Sequence, residues 1–193
     1  MDKSIYEPAE DSFLLLDCLN KELDNQTKET QIPIEERNVY LLDVGAGSGF
    51  IGFEAAKKGC HVVSVDINPD AVEFMKKNKP NDDVKIIESD LFENVDTFNY
   101  DFIVFNTPYL PNDEEFHDDA LHGGNGGYEI SLRFLKEARH YMYDDSVILM
   151  LISTLTKPKI IELFMMENKY KFEIVGTKKE FMEELLVYRI TKA

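Results

Sequence analysis

Five continuous apolar runs constrain the fold of this chain more than any other feature. They are "VYLLDV" (39–44), "HVVSVD" (61–66), "VKIIES" (84–89), "YDFIVF" (100–105) and "SVILMLIS" (146–153). Strands that read as continuous apolar runs are buried on both faces, as in parallel sheets covered by helices. Helix-length segments separate most of them. "GFIGFEAAKKG" (49–59) stops at Gly59, with Lys57 and Lys58 near its negative end. "PDAVEFMKKN" (69–78) opens on proline and closes on asparagine. "YEISLRFLKEARHYM" (128–142) and "KPKIIELFMMENK" (157–169) are two further helices. The last two runs, "KFEIVGTKK" (171–179) and "LLVYRIT" (185–191), lie close together and are expected to pair antiparallel. The expectation is an α/β fold: a mostly parallel seven-stranded sheet, helices on both faces, and an antiparallel last strand.

The start of the chain reads differently. "EPAEDSFLLLDCL" (7–19) predicts a helix, with Pro8 in its first turn and Glu10 and Asp11 at its positive end. Phe13, Leu14, Leu16 and Leu19 form its apolar stripe. "DNQTKETQIPIEER" (24–37) reads as a polar connector. At 193 residues the chain fits one domain, 1–193, with a short N-terminal helical extension over about 1–37.

Charge narrows the partners. The net charge is -16, which repels phosphate backbones and disfavours a nucleic-acid substrate. No apolar stretch is long enough to span a membrane. "MDKSIYEPAED" has no apolar core of a signal peptide, so the cytoplasm is the expected location. Cys18 and Cys60 read as reduced, buried thiols. The four histidines show no ligand spacing, so no metal site is expected.

In doubly wound sheets ligands sit at the carboxyl ends of the strands. "LLDVGAGSGFIG" lies there, with Gly45, Gly47 and Gly49 allowing a tight turn and close backbone approach. "GSGFIG" is also a literal G-x-G-x-x-G, which alone suggests a dinucleotide. Asp43 argues otherwise: two residues before Gly45 it would repel a diphosphate, but it suits a cationic ligand such as S-adenosylmethionine. Asp66 ends the second strand, where a carboxylate accepts from ribose hydroxyls; the other reading is a helix cap, a role open to Asn68 as well. Asp90 follows the third strand and could accept from an adenine amine while Leu91 packs near the ring. Alone, Asp90 is equally a turn residue.

The fourth strand runs into "NTPY", Asn106 to Tyr109. In isolation this is a turn. Beside Asp43, the glycines, Asp66 and Asp90 it resembles the Asn-Pro-Pro-Tyr signature of class I S-adenosylmethionine-dependent methyltransferases with a Rossmann-like fold, which methylate planar amino nitrogens. "YEPAEDSFLLLD" narrows the resemblance to the short eukaryotic and archaeal type of the HemK family, glutamine N5-methyltransferases that modify class I release factors. Only five residues precede Tyr6, so the extra N-terminal domain of larger bacterial relatives is not expected.

The resemblance implies roles. The Asn106 side-chain oxygen and the Thr107 carbonyl would accept from the reacting amide nitrogen, and Tyr109 would stack over it. Pro108 would hold residue 107 extended. Thr107 departs from the family's proline, but only its carbonyl is required. Ser12 would lie near the methionine end of the cofactor, and Tyr6 and Pro8 would shape that wall. Asn106 belongs to the cofactor site as well. A small zinc-binding activator protein is the implied partner. An adenine-N6 methyltransferase acting on DNA or RNA, or methylation of another protein such as at a lysine, stays open, as does a non-catalytic scaffold. The acidic run "NDEEFHDD" (112–119) reads as solvated surface or as a steering patch near the substrate mouth. "HGGNGGYE" (122–129) reads as a connector or a substrate-wrapping loop.

Overall fold

A computed structural model of the protein describes residues 5–108 and 127–193. Seven strands form one sheet in the order β3-β2-β1-β4-β5-β7-β6. They are β1 (Tyr40–Val44), β2 (His61–Asp66), β3 (Val84–Glu88), β4 (Tyr100–Asn106), β5 (Met142–Ser153), β6 (Tyr170–Lys179) and β7 (Glu184–Lys192). The first five are parallel, and β7 inserts antiparallel between β5 and β6. Among the described residues five helices cover the sheet: α1 (Glu10–Thr30), α2 (Phe50–Lys57), α3 (Pro69–Asn78), α4 (Glu129–Ala138) and α5 (Pro158–Glu167).

The continuous apolar strands serve two cores at once. In β1, Leu42 and Val44 face one side and Leu41 the other; in β4, Ile103 and Phe105 oppose Phe102 and Val104. One face packs on Phe134 and Leu135 of α4 and Ile161 and Met165 of α5. The other packs on Leu15, Cys18 and Leu19 of α1 and Ile51, Ala55 and Ala56 of α2. Burial on both faces is why these strands do not alternate. Cys18 and Cys60 are both buried and free. Among the described residues no helix is long and apolar enough to cross a membrane.

The N-terminal segment departs from its sequence reading. Residues 24–30, expected as connector, continue α1 to a left-handed C-cap at Gln31, and a short 3-10 turn follows at Ile34–Glu36. Leu23 is buried under this extension, the Thr27 and Thr30 hydroxyls donate back to the carbonyls of Leu23 and Gln26, and Arg37 reaches Gln26. Tertiary contact thus overrides a weak helix propensity. The apolar stripe is also rotated from the expected one. Leu15, Cys18, Leu19 and Leu23 face inward, while Phe13 is 48% exposed. At the other end, α4 stops at Ala138 rather than 142, and β5 begins at Met142 because that residue pairs with Tyr100 of β4 across a register shift.

Strand order reverses at β1, which has β2 on one side and β4 on the other. The chain leaves β1 and β4 in opposite lateral directions, opening a crevice at their carboxyl ends.

Candidate functional site

The crevice holds a cleft lined by Tyr6, Ser12, Asp43, Gly45, Ala46, Gly47, Ser48, Phe50, Ile51 and Asn106. Two different constructions meet there.

One wall is the turn from β1 to α2. Gly45 and Gly47 have φ of 62° and 55°, and a Cβ on Gly45 would lie 3.1 Å from the Phe105 ring. The third glycine of "GSGFIG", Gly52, serves a different need. A Cβ there would lie 2.6 Å from Ser64 Oγ and 2.9 Å from Asp43 Oδ2. Its absence lets α2 approach the sheet, so that the Gly52 N–H donates to Asp43 at 2.9 Å. Asp43 is 2% exposed. Burial pushes its carboxyl up to about 7, the Gly52 N–H counteracts this, and the nearby Asp66 charge adds to it. Asp66 holds the turn: Oδ2 accepts from Gly47 N at 2.7 Å and Oδ1 from Asn68 N at 2.8 Å. Burial raises its pKa, with those N–H groups opposing. The cap of α3 is Asn68, whose side chain accepts from Asp70 N at 2.9 Å, so Asp66 is not the capping residue. Gly49 is the left-handed N-cap of α2 and stands back from the cleft.

The other wall is the end of β4 beneath the first turn of α1. Asn106 Nδ2 donates to Asp11 Oδ2 at 3.1 Å. Asn106 Oδ1 is buried and has no hydrogen-bond partner among the described residues. Asp11 is 3% exposed and gathers three more donors: Tyr6 O–H at 2.7 Å on Oδ2, and Ser12 N–H at 2.6 Å and Ser12 Oγ at 3.3 Å on Oδ1. Thr107 lies directly behind, 2% exposed. Its N–H and hydroxyl both donate to the Leu151 carbonyl of β5, at 3.2 and 2.8 Å. The side chain at 107 therefore clamps β4 to β5, a role that the sequence does not reveal.

The structure brings Ser12, Asp43, Gly45, Gly47 and Asn106 to one cleft, with Asp66 holding its floor. Asp90 and Leu91 do not line it. Both Asp90 oxygens meet the guanidinium of Arg133 on α4, and Leu91 is buried in the core with φ 47°. Pro108 follows Thr107 and is half-buried. Tyr109, the acidic run 112–119 and residues 122–126 lie outside the described residues. Sequence reasoning missed Asp11 as a site residue. Its charge reads as helix-end chemistry, and its partner is 95 positions away.

Among the described residues lining the cleft none is cationic, and two acidic strand ends, Asp43 and Asp66, sit at or beside it. That donor set fits an ammonium, a sulfonium and ribose hydroxyls, and it does not fit a pyrophosphate. Among the described residues no group of His, Cys, Asp and Glu is placed to share a metal ion.

The model of the methyltransferase small domain family matches residues 12–182. A Methanocaldococcus jannaschii protein assigned as a protein N5-glutamine methyltransferase is 40% identical over 191 residues, 95% of this chain and 89% of that protein. The eRF1 methyltransferase catalytic subunit mtq2 of Schizosaccharomyces pombe is 28% identical over 214 residues, 97% of this chain and 90% of its own. Among solved structures, the E. cuniculi Mtq2-Trm112 complex, responsible for methylation of the eRF1 translation termination factor, superposes with a TM-score of 0.75 and 25% identity. That match covers 98% of this chain and 99% of the other.

Proposed function

The chain belongs to the methyltransferase small domain family, and from that premise we propose that it transfers the methyl group of S-adenosylmethionine to the side-chain amide nitrogen of a glutamine in a translation release factor. The observation that carries this reading is Asn106 Oδ1, a buried acceptor with no donor among the described residues. A buried unsatisfied acceptor costs about 1–3 kcal/mol. The cost is offset when a ligand brings an N–H, and an amide –NH2 brings two.

The amide lone pair is delocalised into its carbonyl, so the nitrogen is a weak nucleophile. Asn106 Oδ1 and the Thr107 carbonyl accept its two N–H bonds, orient it and stabilise the positive charge that grows there. Thr107 fixes its own backbone through Leu151. Pro108 keeps that backbone extended, and the Asn-Pro-Pro-Tyr resemblance gives Tyr109 the role of stacking on the planar group. When bound, S-adenosylmethionine supplies an electrophilic methyl on a sulfonium. Ser12, Asp43, Gly45 and Gly47 would cradle its methionine end, with Gly49 shaping the turn from behind as the N-cap of α2, Asp66 would hold its ribose, and Asp90 with Leu91 its adenine once Arg133 yields or shares the carboxylate. No side chain is assigned as general base; the leaving proton goes to water.

The enzyme works as one domain, with α1 as an N-terminal extension, in the cytoplasm, where release factors act. Its partner is a small zinc-binding activator protein, in keeping with the Mtq2-Trm112 pairing of the solved relative. The test is incubation with labelled S-adenosylmethionine and, separately, release factor, duplex DNA and RNA, with and without activator. Label on a single release-factor glutamine is the expected result. Label on adenine in either nucleic acid overturns the proposal.

A further inference from the structure

Asn106 can act as described only if its oxygen, not its nitrogen, faces the reacting amide. The two ends of an asparagine amide are nearly equal in shape and opposite in polarity. A flipped Asn106 would present N–H to N–H and block the reaction. We propose that Asp11 is the positioning residue that sets this choice. The inference rests on the function proposed above.

A carboxylate at hydrogen-bond distance accepts and cannot donate. The Asn106 atom 3.1 Å from Asp11 Oδ2 must therefore be Nδ2, which leaves Oδ1 turned away from the carboxylate and unpartnered among the described residues. The reverse arrangement would set two oxygens against each other in a buried site. Asp11 is itself held in place. Ser12 N–H and Oγ occupy Oδ1, and Tyr6 O–H shares Oδ2 with Asn106. The same contact polarises the Asn106 amide, because a negative charge on its N–H end raises the electron density at its oxygen. That oxygen is the one that meets the developing positive charge. Asp11 thus acts through Asn106 and need not touch substrate.

The test compares Asp11→Asn, Asn106→Ala and the double variant, with Tyr6→Phe as a milder perturbation of Asp11. All are first checked for fold by circular dichroism and for cofactor binding by calorimetry. Asp11→Asn should lower kcat about 10–100-fold, the loss of one charge-assisted hydrogen bond, with KM for the acceptor nearly unchanged. In the Asn106→Ala background Asp11→Asn should change kcat less than about twofold, because a residue acting through another has no effect once that other is gone. Tyr6→Phe should lower kcat in the same direction by a smaller factor. An activity-free readout accompanies these. The Asn106 side-chain NH2 signals, assigned by their absence from Asn106→Ala, should move upfield in the amide spectrum of Asp11→Asn. Full kcat in Asp11→Asn, multiplicative losses in the double variant, or unmoved NH2 signals would each overturn the inference. A wild-type enzyme that ignores release factor would sink the proposed function instead, and the NH2 signals would still decide the role of Asp11. If Asp11→Asn does not fold, Tyr6→Phe carries the same comparisons.

Discussion

The two walls of the cleft are built by opposite means. The glycine wall is local. Asp43, Gly47, Gly52 and Asp66 lie within one strand-turn-helix-strand unit, and their carboxylates are satisfied by backbone N–H groups of that unit. The Asn106 wall is assembled from afar. Asp11 reaches it from α1, and Leu151 anchors it from β5. Among the described residues the first wall leaves no unpartnered acceptor in the cleft, its one orphaned hydroxyl, Ser64 Oγ, being sealed beneath Gly52; the second ends in the unpartnered Asn106 Oδ1, which lines the cleft. On the function proposed above, a cradle for a cofactor can be finished in advance, whereas a group that must act on a second substrate is left with a hydrogen bond to make.

The sharpest way to break this contrast is Asn106→Ala. It should cut methyl transfer by about 10²–10³, the scale of losing one preorganised polar group, while cofactor affinity stays close to wild type. Single-turnover transfer and calorimetry on the same sample separate the two; equal losses in both would merge the walls into one unit. Asp66→Ala inverts the pattern. Cofactor binding should weaken by about 1.5–3 kcal/mol, the worth of hydrogen bonds to a charged group, and calorimetry reads it directly.

A third comparison concerns the Leu151 anchor. Thr107→Val keeps the N–H but loses the hydroxyl and should cost about 1 kcal/mol of stability in urea unfolding. Thr107→Pro loses both donors and should cost more, although proline is the residue that the Asn-Pro-Pro-Tyr pattern carries at this place. If the proline variant proves the more stable, Leu151 is satisfied some other way and the anchor is dispensable.

The fourth comparison is a slope against pH. The Asp43 carboxyl is pushed up to about 7 from an ordinary 3.8, so the folded state holds its proton more tightly than the unfolded state does. Its contribution to stability is present below the unfolded value and is lost as pH rises through about 7. Asp43→Asn should remove that slope. Unfolding midpoints of the two proteins should converge towards acid pH and separate, with the variant higher, towards pH 7. Parallel profiles would mean that Asp43 titrates as an exposed carboxylate does.

The same division explains what was legible in the sequence. β2 and α3 fall at the predicted residues, and β1, β3, β4 and α2 within a residue or two, because each is specified by neighbours: apolar runs, a glycine turn, a proline start. The crevice follows from strand order, and with it Asp43, Gly45 and Gly47. Residues 24–30 were illegible because nothing local makes them helical. Burial of Leu23 and the Arg189–Glu22 ion pair, 167 positions apart, hold that length of α1 in place. Asp11 and the Thr107 hydroxyl were illegible for the same reason. Arg133 on Asp90 joins residues 43 positions apart, which no spacing rule anticipates.

The position of α1 bears on how the chain is made. The helix lies against β5, β6 and β7. Gly176 of β6 leaves room for Cys18, and Glu22 and Glu10 pair with Arg189 and Lys178. A helix made before the glycine turn therefore rests in part on strands made long after it. A nascent chain that has emerged through α5 holds the glycine turn, both of its carboxylates and the part of the α1 seat made by α2, β4 and β5, while the partners of Glu10 and Glu22 are still to come. The wall that carries Asp11 thus gains its last ties, to Lys178 and Arg189, only after the glycine wall is complete.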